Sequence, residues 1–169
     1  MCKNNIPIRL ISIFGLVTGT ASVPSLAADT CRSFEATLLL NMAPDGCTSP
    51  VKICTKGTIV SSDPSLTGAT WYYTMLGNVP SVGLSESMEP GSTMAYAGRV
   101  AVTTQRDGTF STKNVGVFDS AIGAFSQLDR VVEGTQRFTG AKGNIFVSGI
   151  GNPDAGFKSN IHGEICLNQ

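Results

Sequence analysis

The chain is poor in charge and in the residues that do most enzyme chemistry. Of its 169 residues only 14% are Asp, Glu, Lys or Arg, its 12 bases balance its 12 acids, and it has one histidine, His162. A balanced, weakly charged chain has no basic face with which to hold a nucleic acid. A single imidazole excludes a His-rich metal site and leaves any serine or cysteine nucleophile one base to serve it. There is no Gly-x-Ser-x-Gly elbow and no Gly-x-x-x-x-Gly-Lys phosphate loop. These absences point away from triad hydrolases and nucleotide enzymes, and no cofactor or metal is expected. Beyond residue 30 no run of 18 apolar residues occurs, so no membrane-spanning helix is expected there. The chain is nevertheless 41% hydrophobic, too apolar for a disordered tail, and its length suits one domain.

What is present begins with an address. Lys3 and Arg9 precede a mostly apolar stretch over residues 10–23, and Ser25-Leu26-Ala27 supplies small side chains at the −3 and −1 positions. This order predicts a secretory signal peptide over residues 1–27 and one domain over 28–169. The expected location is secreted or periplasmic, with no membrane attachment after cleavage. Cys2 would leave with the signal, so four cysteines remain: Cys31, Cys47, Cys54 and Cys166. An even count in an exported domain reads as two disulfides with three possible connectivities. No close Cys-x-x-Cys pair supports zinc instead.

The rest of the chain has the period of strands. Runs rich in Val, Ile, Thr, Phe and Tyr, split by Gly, Pro, Asp and Ser, fall near 34–40, 51–60, 68–76, 94–104, 108–118, 123–132, 142–149 and 158–167. Arg106-Asp107-Gly108 is a hairpin signal between two of them. Eight short strands at regular spacing predict a sandwich or an up-and-down barrel. Alternation puts Met94, Tyr96, Val100 and Val102 on one face, and Phe110, Thr112, Asn114, Gly116 and Phe118 on another. Several strands are apolar on both faces, which suggests a homo-oligomer. The long Gly77–Thr93 break, with two prolines and two glutamates, reads as a flap over a barrel mouth.

The stretch Asp129–Gly149 carries a Gly-Thr-x-x-Phe-x-Gly-Ala-x-Gly turn between two strands: Gly134, Thr135, Phe138, Gly140, Ala141 and Gly143. It resembles the allene oxide cyclase-like barrel superfamily, which includes plant allene oxide cyclases, dirigent proteins and bacterial secreted domains. Gln136 stands where relatives often have a third glycine. The resemblance implies an eight-stranded antiparallel up-and-down barrel with an apolar cavity for small hydrophobic or aromatic molecules. Some members of that superfamily cyclise or isomerise a ligand by holding it in one conformation. In a closed barrel of eight strands the first and last strands are neighbours, which would join Cys31 to Cys166 and leave Cys47 for Cys54. Cys31–Cys47 with Cys54–Cys166, and Cys31–Cys54 with Cys47–Cys166, are the competing pairings.

The candidate acid–base groups are Glu35, His162 and Glu164. His162 and Glu164 are two apart on the last strand and share a face, with Asn160 and Cys166. Glu35 lies between Phe34 and Ala36. It reads either as an interior carboxylate poised for proton transfer or as part of an outer face with Thr37 and Leu39. Asp129 and Arg130 are adjacent and point opposite ways. Trp71, Tyr73, Tyr96, Phe110 and Phe118 are the candidate ligand contacts, expected at the mouth under the 77–93 loop. The functional expectation is a secreted barrel that binds a small hydrophobic molecule, with cyclase or isomerase chemistry as its extension. The alternative is a non-enzymatic exported barrel acting by protein contact, as an inhibitor or surface component.

Overall fold

Strict alternation of inward and outward side chains is what closes this chain on itself. The computed structural model describes residues 30–80 and 92–168, and for residues 73–80 the backbone alone. The expected signal peptide and the 81–91 part of the expected flap lie outside these residues. Eight strands follow in order: β1 (Thr30–Met42), β2 (Cys54–Ser61), β3 (Gly68–Pro80), β4 (Thr93–Thr104), β5 (Thr109–Asp119), β6 (Ala124–Gly134), β7 (Lys142–Asn152) and β8 (Gly156–Leu167). Each pairs antiparallel with the next, and β8 returns to β1, giving a closed barrel. β3 runs four residues beyond the expected strand, to Pro80, with register shifts at Thr74/Leu76 and Leu76/Val79 that absorb the irregular Leu76-Gly77-Asn78 step.

The two ends of the barrel differ. At the end that holds the β2–β3, β4–β5 and β6–β7 connections, large side chains fill the interior: Phe34, Ile59, Val102 and Phe110 from strands, with Leu66 and Phe138 from two short 3-10 turns. Phe138 is fully buried and meets Phe110 with ring centroids 5.1 Å apart. Each such side chain contributes roughly 1.5–3 kcal/mol by leaving water. Asp63 caps the first of these turns by accepting from the Ser65 N–H at 2.9 Å, a bond that lowers the carboxyl's pKa. The Arg106-Asp107-Gly108 hairpin is present. Gly108 has a φ of +104°, and its carbonyl accepts from the Thr104 N–H and hydroxyl. In the 134–143 turn a side chain at Gly143 would run into the Glu164 carbonyl, so this position needs close backbone approach. Gln136 takes the left-handed φ of +52° at the place of the missing glycine.

Both disulfides follow from the topology. Cys31 and Cys166 are direct cross-strand partners in the β1–β8 seam and are bonded, and Cys47 is bonded to Cys54 at the entry to β2. Their loops differ greatly, 135 residues against seven. In the chain-entropy account this corresponds to roughly 5 kcal/mol against about 2 kcal/mol of constraint on the unfolded chain. Replacing Cys31 and Cys166 by serine should therefore lower the unfolding free energy by about twice as much as replacing Cys47 and Cys54. Urea titration of the two double variants measures this, and equal losses would refute the loop-length argument.

Candidate functional site

Opposite the filled end the interior is not filled. A cavity of about 380 Å³ lies among Leu38, Leu40, Met42, Val100 and Val147, with Phe118, Phe125 and Phe157 on one side. It reaches Ile53 and Pro153 in the connections at that end. Phe157 meets Phe118 and Phe125 edge-on, at centroid separations of 6.3 and 6.0 Å. These edge-to-face contacts fix the wall's rings. The volume and the apolar lining are those of a small-molecule pocket.

Four polar side chains interrupt that lining: Thr55, Tyr72, Tyr96 and Gln127. Two glycines make room for the tyrosines. A β-carbon at Gly98 would stand 2.5 Å from the Tyr72 hydroxyl, and one at Gly116 would stand 2.5 Å from the Tyr96 ring. Each tyrosine thus lies across a strand position that has no side chain. The Tyr96 hydroxyl donates to Gln127 Oε1 at 2.9 Å, and Gln127 Nε2 donates to Asp129 Oδ2 at 2.7 Å. Asp129 Oδ1 accepts from the Thr112 hydroxyl and, at 3.0 Å, from Asn114 Nδ2. The register explains the cluster: Asn114 is the cross-strand partner of Asp129, and Gly116 that of Gln127. The Thr55 hydroxyl is buried on the cavity wall and has no hydrogen-bond partner among the described residues.

Asp129 is 2% exposed, with three donors on its carboxyl. Burial raises its pKa; the donors from Thr112, Asn114 and Gln127 pull it back without cancelling the rise. The Tyr96 phenol is pushed well above its ordinary range by burial, with Tyr72 and Asp129 adding to it. It therefore stays neutral and acts as a hydrogen-bonding group, not as a base. Asp129 is the buried carboxyl of this interior, and its hydrogen bond from Gln127 ties it to a residue of the cavity wall.

The residues proposed from sequence separate into two sets. Glu35, His162 and Glu164 stand outside the barrel. Phe34, Ala36, Ile161 and Ile165 take the interior positions, so their neighbours in sequence face solvent. Glu35 and His162 are cross-strand partners with a 3.5 Å contact, and their side chains are 77% and 66% exposed. The interior reading of Glu35 is thus corrected, and none of the three reaches the cavity. Of the aromatics, Tyr96 and Phe118 line the cavity. Phe110 belongs to the filled end, against Phe138. Trp71 is on the outer face, because its neighbours Thr70 and Tyr72 point inward. The Tyr73 side chain lies outside the described residues. The four cysteines form the two disulfides, and the sulfurs of Cys31 and Cys166 beside Glu164 are engaged in that bond.

Sequence reasoning missed Asp129, Gln127 and Tyr72. The signal was available for Asp129. Once Val131 is taken as interior, alternation places Asp129, Gln127 and Phe125 on the same face. No protein-family model, curated protein or solved structure matches this chain.

The Asp129 carboxyl gives a pH signature. Its folded-state pKa lies above the ordinary 3.8, so the folded protein holds this proton more tightly than the unfolded chain does. The stabilisation is complete below that ordinary value and is lost as pH rises through the raised folded value. Asp129→Asn removes this titration. The stability advantage of the wild type over the variant should therefore be largest at about pH 3–4 and shrink toward neutrality. Chemical denaturation of both proteins across that range checks it; an advantage that grows with pH would contradict the assignment.

Proposed function

We propose that the chain is an exported barrel that binds a small, mainly apolar molecule carrying one hydrogen-bonding group. The unfilled cavity carries this reading: a barrel packed by its own side chains throughout would instead favour a purely protein-contacting role. The apolar body of the ligand would lie against Leu40, Val100, Phe118 and Phe157, and its polar group would meet Tyr96, Gln127 and the buried Thr55 hydroxyl. Export is supported by the leader-like N-terminus and by two disulfides, which persist in oxidising compartments. The resemblance to allene oxide cyclase-like barrels agrees with a ligand-holding role.

Cyclase or isomerase chemistry is a second reading, and Asp129 favours it. A buried carboxyl with a raised pKa, linked through Gln127 to the cavity wall, is an acid near a confined ligand. A reactive ligand held in one folded conformation would gain most of its rate from that confinement.

The binding reading is tested with an apolar fluorescent probe such as a naphthalene sulfonate. The protein should bind it saturably with one site per chain. Leu40→Trp, which narrows the cavity, should weaken binding by about tenfold or more, since displacing the probe from one well-packed apolar contact is worth more than about 1.4 kcal/mol. Binding that is unsaturable, or unchanged by Leu40→Trp in a variant that keeps its melting temperature, would overturn it. Native mass spectrometry of protein purified from its source, showing a retained small molecule, would identify the ligand.

A further inference from the structure

The outer surface carries an apolar row that none of the described residues covers. Ala97 on β4, Val115 on β5, Leu128 on β6 and Phe146 on β7 are successive cross-strand partners. Val115 and Phe146 are each 62% exposed and Leu128 is 41% exposed. Beside Val115, one outward position along its strand, is Val117, also exposed. Contiguous exposed apolar side chains of this size mark a contact surface. The barrel is closed, so no strand edge is free to pair, and a partner must be met face to face.

The flanking charges say what partner fits. The next outward row along the strands reads Arg99, Lys113, Arg130, Asn144 and Glu164, again as successive cross-strand partners. Arg99 is paired with Glu133, while Lys113 and Arg130 make no ion pair among the described residues. The row is thus basic over β5–β6 and acidic at β8. The apolar row runs in the same sense, from Val115 and Leu128 to Phe146, and ends in His162 and Glu35.

We infer that this face pairs with the same face of a second copy of the chain. The twofold axis would run along the strands between β6 and β7. Such an axis exchanges β6 with β7 and β5 with β8 and leaves position along the strand unchanged. Leu128 then meets the partner's Phe146, and Lys113 meets the partner's Glu164. Each apolar contact and each charge contact occurs twice. A surface with one sign of charge throughout would repel its own copy; this one changes sign across the axis and matches itself.

Sedimentation equilibrium and light scattering of the purified protein test it. The wild type should be a dimer at concentrations of about 10–100 μM. Phe146→Glu should weaken the dimer by about tenfold or more. Because Phe146 is solvent-exposed, the variant should keep the wild-type circular dichroism and melting temperature in its monomer. Lys113→Glu and Glu164→Lys should each weaken the dimer, and the two together should restore it, because the swapped charges again face opposite signs across the axis. A wild type that stays monomeric at the highest concentration would overturn the inference. So would a dimer indifferent to Phe146→Glu, or a double variant no better than the single ones. Binding of the wild-type monomer to lipid vesicles through Phe146, without self-association, would likewise replace it.

Discussion

The pairing of β1 with β8 decides the rest of the molecule. Seven of the eight strand contacts join neighbours in sequence, five of them across connections of seven residues or fewer. The eighth joins the first strand to the last, and only when it forms does the sheet acquire an inside. With Phe34 opposite Gly163 and Leu38 opposite Ser159 in that seam, every other strand's inward set is fixed by register. Slipping β1 by one residue in this seam would put Glu35 into the barrel and Phe34 into water. The Cys31–Cys166 bond lies in register within this seam, so it secures the one pairing that local sequence does least to enforce.

From closure follows a division of labour along the barrel axis. One end is packed with Phe110, Phe138 and Leu66 and supplies stability. The other leaves the cavity unfilled and gives up the burial that filling it would have added. Between them sits the Asp129 cluster. A buried carboxyl is costly unless hydrogen-bonded, and here three side chains from two strands are devoted to it. That arrangement holds Gln127, and through it the Tyr96 hydroxyl, in one orientation at the cavity wall. The polar group at the cavity wall is therefore held in place by residues that do not themselves line the cavity.

Much of this was legible in the sequence because a strand's period of two is easy to read and a barrel has few ways to close. The eight runs and the disulfide pairing follow from local alternation plus closure, and the Gly108 turn follows from its own residues. Candidate site residues were harder for a physical reason. Alternation says that two positions share a face but does not say which face is interior. Glu35, His162 and Glu164 attracted attention as chemically able groups, yet their apolar neighbours Phe34, Ile161 and Ile165 decided the face against them. Asp129 drew notice in the sequence only as the neighbour of Arg130, pointing the opposite way. Its importance appears only when Thr112 and Asn114, on another strand, are brought against it. An apolar cavity was expected from the resemblance, but most of its lining was not, since Leu40 or Val100 reads the same whether it faces packed atoms or empty space.

The up-and-down order also bears on how the chain reaches its fold. Contacts between sequence neighbours form early and at small entropic cost, whereas the seam must wait until a loop of more than a hundred residues is closed. Until then the growing sheet has two open edges, β1 and β8, each a row of unpaired amides able to template association with another chain. The outward charges on those two strands, Glu35, Lys158 and Glu164 among them, then act in the unclosed intermediate as well as in the native barrel. They make the exposed edges poor partners for each other's copies during the interval in which the ring is still a ribbon.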